Sequence, residues 1–266
     1  MTPDKSVIFC ATQRTGSTLI FDDLLNLVGW KRRNPEILYE WIVRKKTDLP
    51  WSEVWNEIRA QNQVHGTFIA KVMFHYTPIV SSYMERNTYE GVRNCYEFRP
   101  ELFDAFHSFF ADAIWVYVDR RDVFSQAVSM YMAESTNVWE KLTHIPKPGV
   151  VTIPERPNAV PESEVRYDAK KLKRFVRSFL NEREQWQRFF EHYKIEPIRI
   201  SYEEAVCHFP HYLNELLSAT GLQSVAEPPA RRMIKVGTQR NEEWATYLRN
   251  DIVAELFSRS LADGQK

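Results

Sequence analysis

SVIFCATQRTGSTLIFDDLL, residues 6 to 25, is the stretch on which the fold turns. Val7 to Ala11 is a short apolar run with strand-forming residues. Thr12-Gln13-Arg14-Thr15-Gly16-Ser17-Thr18 interrupts it with small and hydroxyl-bearing side chains, and from Leu19 to Val28 the apolar positions recur with a helical period. The order is a buried strand, a tight loop and a helix N-terminus. Such a junction attracts anions, because the first backbone N–H groups of a helix lack partners and the helix dipole places partial positive charge there. Gly16 allows a phosphate close to the backbone, Ser17 and Thr18 add hydroxyls, and Arg14 adds a planar cationic fork. Residues 12–18 therefore read as a phosphate-binding loop. The competing reading is a strand-to-helix turn that uses Gly and Ser for geometry alone, a common device in α/β proteins.

The loop departs from the common nucleotide pattern G-x-x-x-x-G-K-[S/T]. Laid over Gly16 and Thr18, that pattern asks for Lys where Ser17 stands and for an earlier Gly where Ala11 stands. The lysine that reaches along a triphosphate is missing, and what remains suits a single terminal phosphate.

The rest of the composition limits the alternatives. A chain of 266 residues with 44% hydrophobic and 26% charged residues is long enough to bury a sizeable core. Its 35 basic and 35 acidic side chains cancel, so no bulk charge favours nucleic acid and any anion site is local. Cys10, Cys95 and Cys207 are odd in number, far apart and without C-x-x-C spacing. This points to a reducing compartment and away from a structural zinc. The N-terminal apolar run is too short for a signal peptide and no 18-residue apolar run exists, so the sequence reads as cytoplasmic with no transmembrane segment.

Further chemistry lies along the chain in order. Pro35-Glu36 follows the first helix on a turn, where Glu36 either faces the anion pocket or simply opens a helix. Residues 66–74 read as a second strand carrying one charge, Lys71, with His75 just beyond it. A lysine in a buried strand points its ammonium into a site or snorkels to the surface. Residues 76–110 read as mainly helical, and 114–118 as a third strand running into Asp119-Arg120-Arg121-Asp122. Near Asp122 a helix begins in which Ser125 and Ser129 share a face. Residues 143–161, with five prolines, read as a long excursion. A long helix over 167–193 carries core aromatics, 197–202 is a fourth strand, and a helix runs on to Gly221. A basic loop over 231–240 precedes a last helix starting near Asn241.

Three of these segments in sequence carry a family resemblance: Gln13 to Thr18, Arg121-Asp122 to Gln126-Ala127-Val128-Ser129, and Thr238-Gln239-Arg240 to Trp244. Together they resemble the trehalose 2-sulfotransferase family of bacterial sulfotransferases, within the wider group that uses 3′-phosphoadenosine 5′-phosphosulfate (PAPS). The likeness spans roughly residues 6–250. It implies one α/β domain over 1–266 with the excursion at 143–161, in a P-loop-like three-layer fold whose central, mostly parallel sheet is flanked by helices.

The resemblance also implies roles. Arg14, Thr15, Gly16, Ser17 and Thr18 would hold the 5′-phosphosulfate. Arg120 or Arg121, with Ser129 or its rival Ser125, would read the 3′-phosphate, and Lys235, Gly237, Thr238 and Arg240 would close over the nucleotide. Lys71 and Arg14 would stabilise charge on the leaving phosphate. Glu36 would take the proton of the acceptor hydroxyl, with Glu40 and His75 as rival bases. The acceptor would be a carbohydrate or glycolipid, no metal would be required, and a homodimer comes from the family alone. Trp30, Trp41, Trp51, Trp55 and Trp139 would offer flat faces to sugar rings or serve as packing. Two other readings compete: a P-loop kinase with Asp119 on magnesium, and a catalytically silent nucleotide-binding protein.

Overall fold

The four apolar runs become four parallel strands that end at one edge. The computed structural model describes residues 5–31, 33–88, 93–139, 141–142, 160–225, 230–234 and 237–263. In chain order these form β1 (Ser6–Ala11), α1 (Ser17–Leu27), α2 (Trp51–Asn62), β2 (Gln63–Val64), β3 (Thr67–Met73), α3 (Thr77–Arg86), α4 (Asp104–Phe109), β4 (Ile114–Asp119), α5 (Val123–Thr136), β5 (Lys141–Leu142), α6 (Ala169–Tyr193), β6 (Ile198–Ser201), α7 (Tyr202–Cys207), α8 (Asn214–Thr220), β7 (Met233–Ile234) and α9 (Gln239–Asp263). The chain divides into two compact units, Met1–Arg121 with Asn181–Ala230, and Asp122–Leu180 with Arg231–Lys266.

The first unit is α/β. Its sheet has the order β2-β3-β1-β4-β6, in which β3, β1, β4 and β6 are parallel and only the short β2 is antiparallel. Every residue of β1 and β3 is buried. Helices cover both faces of such a sheet, which is why these strands read as unbroken apolar runs instead of alternating ones. Register pairs Ala11 with Met73 on one side and with Val118 on the other, so the three strands finish level. The strand order also reverses at β1, and the carboxyl edge beside such a reversal is where open α/β sheets bind ligands. Trp186 of α6 closes the end of β1, its indole N–H donating to the Ala11 carbonyl at 3.1 Å.

Three details differ from the sequence reading. Among the described residues of 76–110 the α-helix is confined to α3 and α4, with one-turn 3-10 segments at Phe74–Tyr76 and Pro100–Leu102. The stretch before it is tied to the end of β3, where Cys95 N–H donates to the His75 carbonyl at 2.9 Å. The helix expected up to Gly221 is two short ones, α7 and α8, separated around Pro210, which has no N–H to continue a helix. Finally, β2 arises from a two-residue turn at His65-Gly66 with φ of 45° and 81°, a tight hairpin too short to show alternation.

In the second unit α5, α9 and the first half of α6 bury Ala127, Val128, Leu172, Val176, Phe179 and Leu248 together, and β5 pairs antiparallel with β7. The Asp122 carboxylate caps α5 by accepting from the backbone N–H of Phe124 and Ser125. Most of the expected excursion, residues 143–159, lies outside the described residues. Among the described residues no helix is long and apolar enough to cross a membrane.

One buried amide fixes the segment that precedes the site. Asn62 Nδ2 donates to the carbonyls of Asn34 (2.7 Å) and Ile69 (2.9 Å), holding residues 34–36 beside β3. Asn62→Ala is expected to lose about 1–3 kcal/mol of stability in thermal or denaturant unfolding, the cost of orphaning two carbonyls; an unchanged unfolding midpoint would contradict this tether.

Candidate active site

Residues 12–18 join the end of β1 to the first turn of α1. Thr15 and Ser17 are buried, and Thr15 Oγ1 donates to the Thr12 carbonyl at 3.0 Å, curling the loop onto itself. Arg14 and Gly16 take left-handed φ of 63° and 79°. Gly16 is the N-cap of α1 and no side chain occupies the cap, which leaves the helix N-terminus open to an anion. A second constraint fixes Gly16: a Cβ there would meet Tyr202 Cδ2 at 2.4 Å.

Lys71 is the centre of the site. It is only 2% exposed, and its Nζ lies 2.9 Å from Thr18 Oγ1 on the loop and 2.9 Å from Glu36 Oε1. The snorkelling alternative is thereby excluded, since the ammonium is turned inward and paired. Glu36 reaches it because Lys71 N–H donates to the Pro35 carbonyl (2.7 Å) while Glu36 N–H donates to Asn34 Oδ1 (3.0 Å). The Glu36 side chain remains one-third exposed. The alternative in which Glu36 serves only as a first-turn acid does not describe this ion pair.

The two rival bases sit differently. Glu40 is engaged by Arg44 at 2.9 Å on the surface. His75 follows β3 and packs its ring against Tyr76 and, nearly parallel, against Tyr96. Burial pushes the His75 imidazole below its ordinary pKa, with the Glu36 charge opposing that shift, so it is largely neutral at pH 7 and able to accept a proton. Burial, reinforced by Glu36, raises the Tyr76 phenol well above its usual value, and its hydroxyl stays protonated, donating to the Lys71 carbonyl.

Beyond β4 the two arginines point to different partners. Arg120 Nη1 donates to the Arg14 carbonyl (3.3 Å) and its guanidinium lies over the Tyr202 ring at 4.5 Å, so it flanks the anion loop. Arg121 is turned toward α7: its N–H donates to Glu203 and its guanidinium lies 3.5 Å from Glu204. Asp119 forms an ion pair with the Arg183 guanidinium, Nε lying 3.1 Å from Oδ1, and accepts from Arg120 N–H at 2.7 Å.

Ser125, Ser129, Gly237, Thr238 and Arg240 belong to the second unit. There Ser125 Oγ donates to the Asp122 carboxylate at 2.8 Å, and Ser129 lies one turn further along the same helix. Arg240 donates to the carbonyls of Glu162 and Val165 and lies over the Trp244 ring. Thr238 bonds Asn241 and Glu162. Lys235 lies outside the described residues. Of the tryptophans, Trp55 is core, while Trp51 joins it in lining an apolar cleft with Met84 and Phe109, formed by α2, α3 and α4.

Sequence reasoning missed Tyr202, Arg183 and Glu182. Tyr202 and Arg183 gave no local signal, because their partners are distant in the chain. Glu182 had one: it stands three and four residues from Phe179 and Trp186 on the apolar face of α6. It is 4% exposed, its Oε2 has no hydrogen-bond partner among the described residues, and burial pushes its pKa up to about 7.

A parallel sheet whose central strand runs into an uncapped, glycine-bearing helix start, with a buried lysine on the next strand bonded to that loop, defines an α/β phosphate-loop protein. Within that class the chain belongs to the Stf0 sulphotransferase family, whose pattern it matches over residues 6–251. It is similar to a trehalose 2-sulfotransferase of Mycolicibacterium smegmatis, 24% identical over 215 residues that cover 79% of this chain and 72% of the relative. It is also similar to a trehalose 2-sulfotransferase of Mycobacterium tuberculosis, 27% identical over 133 residues, 50% of this chain and 44% of the relative.

Burial of Glu182 has a consequence for stability. A carboxyl whose folded pKa is raised binds more protons in the folded than in the unfolded state, so stability falls as pH rises from its unfolded pKa of about 4.3 through the folded value. With a folded value of about 7, the loss from this group is complete somewhat above pH 7 and amounts to roughly 4 kcal/mol or less. Glu182→Gln should therefore melt higher relative to wild type at pH 8 than at pH 5; an equal difference at both pH values would contradict the assignment.

Proposed function

We propose that this sulfotransferase moves a sulfuryl group from PAPS to a hydroxyl of a carbohydrate, trehalose-like or lipid-linked. The observation that carries the reading is the Lys71 ammonium held between Thr18 of the anion loop and Glu36. It supports the reading because it brings a cation and a carboxylate together beside residues 12–18, and the transfer asks for both. The family assignment supports sulfuryl transfer, and the names of the two relatives support the sugar.

The residues present fit the donor. The open N-terminus of α1 and the side chains of Arg14, Thr15, Gly16, Ser17 and Thr18 suit a phosphosulfate. Arg120 beside that loop is the better placed of the two arginines to read a 3′-phosphate, because Arg121 is committed to the acids of α7. For Ser129, Lys235, Gly237, Thr238 and Arg240 a role toward the nucleotide rests on the family resemblance alone. When bound, the donor supplies the sulfuryl group and a phosphate leaving group.

The protein's part is alignment, charge and one proton. Lys71 and Arg14 hold the negative charge that develops on the phosphate oxygen as its bond to sulfur breaks. Glu36 takes the acceptor proton as the new sulfur–oxygen bond forms, and its pairing with Lys71 fixes the oxygen that does so. Asp119, bonded to Arg183, is an internal partner for that arginine and does not need to serve a nucleotide metal in this scheme. Three free cysteines suit a working place in the cytoplasm.

Two experiments test the roles. Glu36→Gln, which keeps an acceptor for the Lys71 ammonium, should lower kcat about 10²–10⁴-fold with the affinity for adenosine 3′,5′-bisphosphate retained. His75→Ala should keep most of the turnover, and the opposite pattern would transfer the base to His75. In calorimetric titrations Arg120→Ala should weaken the bisphosphate at least about tenfold, the value of a charge-assisted contact, while Arg121→Ala changes it little. Equal effects at the two positions would contradict the assignment.

A further inference from the structure

Tyr96 is a large ring that the fold fastens in place and does not bury. The backbone around it is held at three points: Cys95 N–H donates to the His75 carbonyl (2.9 Å), Asn181 Nδ2 to the Tyr96 carbonyl (2.8 Å) and Phe98 N–H to Gln185 Oε1 (2.7 Å). Phe98 then enters the aromatic packing with Phe103 and Phe189. Tyr96 itself stays half exposed, its ring nearly parallel to that of His75 with centres 5.9 Å apart. Ordering a segment costs conformational entropy, and a half-exposed ring returns only part of its burial energy for that cost.

Direct contacts lead from Tyr96 to the proposed base. His75 lies two residues past the end of β3, which finishes level with β1, so its chain leaves the sheet beside the start of the anion loop. The His75 ring packs on Tyr76 with centres 5.3 Å apart. Tyr76 in turn packs on Tyr39 at 4.8 Å and donates its hydroxyl to the carbonyl of Lys71, the residue that pairs with Glu36. Tyr76 is buried and backs this row, whereas Tyr39 and His75 are partly exposed and Glu36 is one-third exposed. The row therefore offers accessible surface from Glu36 to Tyr96. All of these residues belong to the first unit.

We propose that Tyr96 is the platform for the second ring of a disaccharide acceptor: with the reacting ring at Glu36, the neighbouring sugar ring lies against the exposed part of the Tyr96 ring. The proposal rests on the sugar-sulfotransferase reading given above. A pyranose has an apolar face of C–H groups and a rim of hydroxyls, and an exposed tyrosine ring covers the face while the rim stays in water. The ring is prearranged by its packing on His75 and by the three backbone bonds, so little ordering is left for the moment of binding. Two rings, those of Tyr76 and His75, intervene in the contacts between Tyr96 and the Lys71–Glu36 pair. Tyr96 therefore serves a ring next to the one that carries the reacting hydroxyl, and acts by positioning the acceptor.

The test uses the full chain and two titrations. Adenosine 3′,5′-bisphosphate is first titrated calorimetrically into wild type, Tyr96→Ala and Tyr96→Phe, and then trehalose, maltose, glucose and methyl glucoside are titrated into each saturated protein. Bisphosphate affinity is expected within about twofold in all three. Wild type should bind its better disaccharide at least about tenfold more tightly than either single-ring sugar, a margin that Tyr96→Phe keeps and Tyr96→Ala largely loses. In turnover with PAPS the Tyr96→Ala loss falls on the KM for the disaccharide with kcat retained, which a merely structural role would not produce. A Tyr96→Ala protein with the wild-type margin overturns the proposal. So does a wild type that binds single-ring sugars as tightly as disaccharides, or none of the four. Sulfation of any of these sugars by wild type keeps such a failure distinct from failure of the sulfotransferase reading. If the bisphosphate itself does not bind, the donor reading fails separately, and the same sugars titrated into the free proteins still decide the subsite by the wild-type to Tyr96→Ala comparison.

Discussion

The ammonium of Lys71 is the constraint around which the site is arranged. A lysine that is 2% exposed must find partners in place of water, and a buried charge without them costs several kcal/mol. It finds two: Thr18, which belongs to the first turn of α1, and Glu36, which arrives on the connection to α2. One residue in the middle of a hydrophobic strand thus decides where a loop and a later turn must lie. The Asn62 amide and the Lys71 N–H then hold the backbone of residues 34 and 35 beside β3, where Glu36 reaches the ammonium. Folding energy and chemistry use the same contact.

The same edge separates charges by purpose. Arg120 is kept beside the anion loop by its contacts with Arg14 and Tyr202, while Arg121, next in the chain, is drawn to Glu203 and Glu204. Asp119 answers Arg183. An acid at this strand end would speak for a metal-nucleotide enzyme if it faced the loop alone, but here it has a guanidinium partner inside the fold.

Much of this was legible in the sequence, for reasons that can be stated. β1, β3 and β4 announce themselves because both faces are buried and the runs are apolar throughout, and the anion loop announces itself because Gly16 and the hydroxyl residues follow such a run directly. Lys71 stood out for being charged inside one of them. What pattern could not show was partnership across distance. The choice between Arg120 and Arg121 depends on Tyr202 and on α7, which are some 80 positions away in the chain. The hairpin at His65-Gly66 is too short to carry a period, and the break between α7 and α8 follows from Pro210 in a segment whose apolar spacing otherwise reads as helix. Glu182 was visible as a carboxylate on an apolar helix face, yet only the packing of α6 against the sheet edge gives it meaning.

In the proposed function the loop at the end of β1 holds a 3′-phosphorylated adenosine nucleotide. A ligand that binds only the folded state raises the melting temperature according to its concentration relative to Kd. The direct measurement is therefore the thermal shift of the wild-type protein with adenosine 3′,5′-bisphosphate against ATP with magnesium at equal concentrations. A clear shift with the bisphosphate and little or none with ATP is the predicted result. A shift with ATP and magnesium alone would contradict the account and return Asp119 to the centre of the site.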